Sequence, residues 1–223
     1  MAAGQGPTLA GATHVSGAPP GLPNQLPMGV WRRWHAHIAG NHGTVRGCVR
    51  AWLAELEYGA GRLDAYLQPD LGRTRRVVFV CLGNINRSAF AEQVARQHGL
   101  RCASIGLSTT AGAPATPSAR RLAPMLGADL DSHQATPIQQ WVREDTDLLL
   151  VMEIRHARRL VAQGVPPAQV AMLGHFGAPR RLHLHDPHTL SDAYFLSCFT
   201  LIRASVEGLA AALRLRDSPA VSR

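Results

Sequence analysis

The chain of 223 residues contains no lysine; all 23 of its Lys/Arg positions are arginine. That absence removes two function classes. A nucleotide-binding loop of the GxxxxGK[ST] kind needs its lysine, and a Schiff-base enzyme needs a lysine amine. Also missing is any unbroken apolar run of ~18 residues, so no transmembrane segment is expected. The start lacks the basic-then-apolar pattern of a secretory signal. The cysteines, at 48, 81, 102 and 198, show no CxxC spacing and read neither as a zinc site nor as a disulfide framework. The expected setting is therefore reducing and cytoplasmic. Aromatic residues are scarce, at 5%. The formal charge of +8 is spread over scattered arginine pairs with no interleaved aromatics. Such charge reads as solvated surface, and no nucleic-acid partner is expected.

What is present divides the chain into unlike parts. Residues 1–27 are rich in Gly, Ala and Pro and read as a disordered tail. Residues 28–75 read as a helical extension and linker. Within it Val45, Cys48, Val49, Trp52, Leu53, Leu56, Leu63, Tyr66 and Leu67 recur at helical spacing. Arg46, Arg50, Glu55, Glu57, Arg62 and Asp64 take the other face, and Gly59 and Gly61 allow two helices rather than one. This apolar stripe suits a helix packed on the main domain, one that docks a partner, or one that lies on a membrane surface.

From residue 76 to 214 apolar strands alternate with amphipathic helices. Strands are expected at Val77–Val80, Cys102–Ile105, 147–152 and 169–173. Helices are expected after Ser88, at 116–126, from Ile154, and along the stripe Phe195, Cys198, Phe199, Ile202, Val206, Leu209 and Leu213. Strand–helix alternation predicts a three-layer α/β fold: a parallel sheet with helices on both faces. Residues 215–223 read as a C-terminal tail.

The chemistry concentrates in "VVFVCLGNINRSAFAE", residues 77–92. Cys81 ends an apolar strand, and a short loop runs into a helix. Ligands of open α/β sheets bind beyond strand carboxyl ends. The amides of Leu82, Gly83, Asn84, Ile85 and Asn86, with the helix dipole, form an anion nest. Arg87 adds a planar fork for two oxyanion oxygens. The same field favours a thiolate at Cys81, and Ser88 can donate a hydrogen bond to it. Asn84 tolerates the left-handed backbone that tight anion loops use. Of the four cysteines only Cys81 has an arginine six residues on, followed by Ser or Thr.

This loop resembles the signature loop of the low-molecular-weight protein tyrosine phosphatases, and the resemblance extends over about residues 76–214. "SIGL" (104–107), "DSHQATPI" (131–138), "DLLLVMEIRHARRL" (147–160) and "HDPH" (185–188) are similar to further family segments. "LGHF" (173–176) resembles the bacterial branch associated with exopolysaccharide export. The resemblance implies a four-stranded parallel sheet of order 2-1-3-4. It implies catalysis by Cys81 as nucleophile, Arg87 as phosphate clamp and Asp186 as general acid, with Ser104 and His133 as loop scaffold. It implies no metal and no organic cofactor. The substrate it suggests is a tyrosine-phosphorylated protein, such as a bacterial tyrosine kinase of a polysaccharide system. Several positions depart from the family pattern. Asn86 stands where a second loop cysteine is usual, so that cysteine's protective disulfide is absent. Ala89 replaces a proline, Thr136-Pro137 replaces Arg-Gln, and His188 replaces an aromatic residue that walls the tyrosine slot. Two other readings stay open: a phosphate-binding regulatory module, and a thioredoxin-coupled arsenate reductase. The latter needs two further cysteines after the third strand, and residues 147–174 contain none. His183, His185 and His188 surround Asp186, but no assured fourth ligand makes them a metal site.

Overall fold

The structure is a computed structural model that describes residues 28–217. The tail expected at residues 1–27, and the part of the C-terminal tail from 218 onward, lie outside the described residues.

Four parallel strands form one sheet in the order β2-β1-β3-β4. They are β1 (Arg76–Cys81), β2 (Cys102–Gly106), β3 (Asp147–Val151) and β4 (Val170–Met172). Among the described residues six α-helices accompany them: α1 (Met28–His42), α2 (Val45–Gly59), α3 (Arg87–Gln97), α4 (Pro117–Leu122), α5 (Ile154–Ala162) and α6 (Asp192–Asp217). The helix expected over 116–126 is split. Pro124 lacks the amide hydrogen an α-helix would use there, and the chain tightens into a 3-10 turn at Ala123–Leu126, closed by Gly127 at φ 70°. The last helix continues to Asp217, beyond the apolar stripe that announces it.

Strand alternation builds two core layers. Val77, Phe79 and Cys81 of β1 face α3 and α6, where Phe90 stacks on Phe199 at 4.0 Å between ring centroids. Val78 and Val80 face the opposite layer, with Ala157 and Leu160 of α5 and with Leu63 and Leu67 from the segment before β1. By length and composition α6 could cross a bilayer. Its Phe195, Phe199, Ile202, Val206 and Leu209 are instead buried in the first core layer.

The extension packs in a way its sequence does not announce. Leu63 and Leu67 are buried as the periodicity predicts. On α2, however, the buried residues are Gly47, Ala51 and Ala54, and the stripe Val45, Val49, Trp52, Leu53 and Leu56 faces solvent. Close approach decides this. Gly47 sits so near the His42 carbonyl and the His185 ring that a Cβ would collide with both, so only a small-residue face fits there. Removing the Phe199 ring from the stacked pair is expected to cost about 3–5 kcal/mol; urea unfolding of Phe199→Ala beside wild type measures it.

Candidate functional site

Register places the site. Cys81 is the last residue of β1, paired with Gly106 of β2, while Val80 pairs with Val151 of β3. All three strands therefore end at one level, and the loops beyond them converge. Gly106 is required by this convergence: a Cβ there would lie 3.1 Å from the Asn84 Cβ and closer still to Thr109.

The loop after Cys81 is held by one asparagine. Asn84 adopts φ 51°, the left-handed geometry its sequence position suggests. Its Oδ1 accepts from the Thr136 amide at 2.8 Å, which fixes the orientation of the side chain. Its Nδ2 then donates to Ser88 Oγ at 2.9 Å and Ser104 Oγ at 2.8 Å. Ser104 passes its own hydrogen to Glu92 Oε2 at 2.5 Å. Ser88, already accepting from Asn84, is left to donate to Cys81 Sγ, 3.0 Å away. The Asn84 amide donates to the same sulfur at 3.2 Å. His133 Nε2 donates to the Asn84 carbonyl at 2.6 Å, which identifies its protonated nitrogen. The replacement of Arg-Gln by Thr136-Pro137 thus keeps a framework contact through the backbone.

Asn86 has a different partner. Its Oδ1 accepts from Thr116 Oγ1 at 2.6 Å, and the Thr116 amide donates to the Ile85 carbonyl at 3.1 Å. Thr116 also caps α4. The position that a second cysteine usually fills therefore ties the loop to the next one. Asn86 makes no side-chain cap on α3, so the first amides of that helix stay available to an anion.

Arg87 is almost wholly buried. One nitrogen, Nη1, donates to Glu153 Oε1 at 2.7 Å and to the Leu184 carbonyl at 2.9 Å. Nη2 forms an ion pair with Asp186 Oδ2 at 2.7 Å. Asp186, about a third exposed, also accepts from the His188 amide at 3.3 Å. The structure thus brings Cys81, Asn84, Ser88, Ser104, His133 and the Arg87–Asp186 pair into one connected site. Leu82, Gly83 and Ile85 contribute backbone to the loop, and a Cβ on Gly83 would meet the Ile85 side chain at 3.3 Å.

Sequence reasoning missed Glu153. Burial alone would raise its carboxyl, but Arg87, followed by Arg155, His156 and His183, outweighs burial and holds it below the ordinary carboxylate range. A charged residue directly after the apolar run Leu148–Met152 is the signal that could have found it. His156 and His183 pack near it and are kept uncharged. Burial, followed by Arg87, pushes His156 down to about 3, and burial pushes His183 down to about 4. Among the described residues, no group of three His, Cys, Asp or Glu side chains is arranged to hold a metal ion.

The extension also reaches the site. Thr44, the N-cap of α2, lies with Oγ1 3.2 Å from His185 Nε2, one residue before Asp186. Tyr194 on α6 donates to the His185 carbonyl at 3.2 Å.

Comparison with known proteins gives one family. The family model described as "Low molecular weight phosphotyrosine protein phosphatase" matches residues 76–218. The protein-tyrosine-phosphatase Wzb of Salmonella typhi is 32% identical over 143 residues, covering 62% of this chain and 93% of that one. The crystal structure of the Erwinia amylovora tyrosine phosphatase AmsI matches with a TM-score of 0.55 at 25% identity, covering 62% of this chain and 93% of its own. Wzb from Escherichia coli K30, solved in complex with sulphate, matches with a TM-score of 0.55 at 26% identity, covering 63% and 99%.

The uncharged histidines make stability depend on pH. Between about 6.5 and 4 the unfolded chain binds protons that buried His156 and His183 refuse. Stability is therefore expected to fall as pH falls through that window, by up to about 1.4 kcal/mol per pH unit for each histidine. Urea unfolding at several pH values measures the slope, and His183→Gln should flatten it.

Proposed function

Because the chain belongs to the low-molecular-weight phosphotyrosine protein phosphatase family, a family of phosphoric monoester hydrolases, we propose that it hydrolyses phosphotyrosine in proteins through a phosphocysteine intermediate. One observation carries this reading. A sulfur with two hydrogen-bond donors faces the uncapped start of α3, beside a buried arginine whose other edge holds a carboxyl group. In this reading residues 76–214 are the phosphatase domain, and 28–75 a helical extension with its linker.

The proposed steps make use of this geometry. Cys81 Sγ attacks phosphorus as a thiolate, and the S–P bond forms as the aryl P–O bond breaks. The amides from Leu82 to Arg87 and the Arg87 fork stabilise charge on the equatorial oxygens. Burial opposes the charge on Arg87, but Asp186, Cys81 and Glu153 outweigh it, so the guanidinium keeps its proton. An arriving phosphoryl group competes with Asp186 for Nη2 and frees that carboxyl to meet the leaving oxygen. Asp186, having taken a proton from solvent once that pair opens, gives it to the departing phenolate. It then takes one from the water that attacks phosphorus, which returns phosphate and the thiolate. Ser88 and Asn84 steady the sulfur as both nucleophile and leaving group. No metal or organic cofactor takes part. Wzb was solved in complex with sulphate, a tetrahedral anion of the kind this loop is proposed to hold.

The reading places the enzyme in the cytoplasm, which suits four unpaired cysteines among the described residues. Burial pushes the thiols of Cys102 up to about 11 and Cys198 up to about 12, which leaves both inert as nucleophiles at neutral pH. The substrate is a phosphotyrosine protein. The resemblance of residues 173–176 to the exopolysaccharide-associated branch favours a bacterial tyrosine kinase of a polysaccharide system. His188, in place of an aromatic wall, is expected to widen the range of phosphoesters accepted.

Hydrolysis of an aryl phosphate tests the assignment. Wild type should turn over, Cys81→Ser should be inactive, and Asp186→Ala should be slower by about 10²–10⁴. An inactive wild type that binds vanadate would instead favour the phosphate-binding module. A second test concerns the extension. Gly47→Leu should force α2 off the His185 ring and lower kcat about tenfold through misplacement of Asp186. Steady-state kinetics and a thermal melt together separate this loss from unfolding.

A further inference from the structure

Helix α2 is turned inside out. At 100° per residue, Val45, Val49, Trp52, Leu53 and Leu56 fall within one narrow stripe. Gly47, Ala51 and Ala54 fall on the side opposite, and it is they that are buried. The stripe residues remain exposed, Trp52 at 62% and the other four at 46–50%. Amphipathic helices bury their large apolar residues, so this stripe faces something other than water when the protein works.

Helix α1 carries exposed aromatic residues of its own. Trp31, Trp34 and Ile38 share one helical face. Ile38 is buried, whereas the two tryptophans, paired edge to face at 5.7 Å, stay about half exposed. Three of the four tryptophans of the chain thus stand on these two exposed helices.

Charge identifies the occupant. Arg32, Arg33, Arg46, Arg50 and Arg62 lie on or beside the two helices. None pairs with an acidic side chain among the described residues. The two acids of α2 are already engaged, Glu55 with Arg180 and Glu57 with Arg158, each at 2.8 Å. The preceding 27 residues contain no Asp or Glu that could meet these arginines. A face of tryptophan, valine and leucine edged by unmatched guanidinium groups is complementary to lipid headgroups that carry phosphate, over an acyl region. Tryptophan favours that interface, and guanidinium forks match phosphate oxygens. A second copy of the same face would bring like charges together.

We propose that the exposed stripe of α2 is a docking surface for an anionic lipid bilayer, on which Val49, Trp52, Leu53 and Leu56 insert while Arg46 and Arg50 engage headgroup phosphates. The protein is then peripheral: it lies on the membrane and does not cross it. Helix α2 carries both this face and, at its first turn, the contact with His185.

Flotation of the full chain with vesicles tests the proposal. Vesicles of phosphatidylcholine containing phosphatidylglycerol should carry the protein upward, and pure phosphatidylcholine vesicles should not. Val49→Ser with Trp52→Ser should abolish flotation. Arg46→Gln with Arg50→Gln should weaken partitioning about thirtyfold and reduce its salt dependence. Both variants should keep the wild-type thermal midpoint and aryl phosphate turnover, since neither touches the Cys81 loop. Light scattering without lipid should show a monomer. Three outcomes overturn the proposal: no flotation with either vesicle, equal flotation with both, or a lipid-free dimer that Trp52→Ser dissociates. The last would make the stripe a contact between copies. A wild type inactive on aryl phosphates would leave the flotation result unaffected, so failure of the catalytic reading is distinguishable.

Discussion

The buried guanidinium of Arg87 is the constraint on which the site depends. A charge that deep is tolerated only when it is paired and hydrogen-bonded. Glu153, the Leu184 carbonyl and Asp186 supply that pairing, the first from just after β3 and the other two from one segment after β4. Meeting the needs of one side chain therefore fixes where β3 ends, where the segment after β4 returns, and where the acidic loop sits. The charge that must be neutralised in the resting fold is the same charge that a phosphoryl group would use.

A second, neutral network holds the sulfur. Asn84 donates in two directions and accepts in a third, and its left-handed backbone lets the loop fold over Cys81. The polarity of the chain from Glu92 through Ser104, Asn84 and Ser88 is set by one amide, that of Thr136. Every member is satisfied, the condition under which a buried polar network rigidifies a site rather than weakening it. The two networks meet only at the first turn of α3, where Arg87 and Ser88 are neighbours.

Much of this was legible. The sheet, its strands and five of the six helices announce themselves by apolar period, because strands buried on both faces and helices buried on one leave strong patterns. The spacing of Cys81, Arg87 and Ser88 marks the loop that the structure gathers around the sulfur, and Asn84 announces its backbone geometry. Asp186 was reached through resemblance, since an Asp-Pro pair in isolation reads as a turn. Glu153 was not found, because a carboxylate directly after an apolar strand is a signal of burial that does not name its partner. The orientation of α2 was left open by its sequence. Periodicity reports which residues share a face, whereas Gly47, Ala51 and Ala54 show that close approach decided which face turns inward.

The site has no local version of itself. Its parts come from residues 81–88, 104, 133, 136, 153 and 186, and the core layer behind it is completed by α6. A growing chain leaving the ribosome would carry the Cys81 loop long before Glu153 and Asp186 were synthesised. Such long-range closure forms late in folding. If Cys81 is the nucleophile proposed above, the nascent chain can expose that cysteine before it is active, and catalytic competence becomes a report that synthesis and folding are both complete.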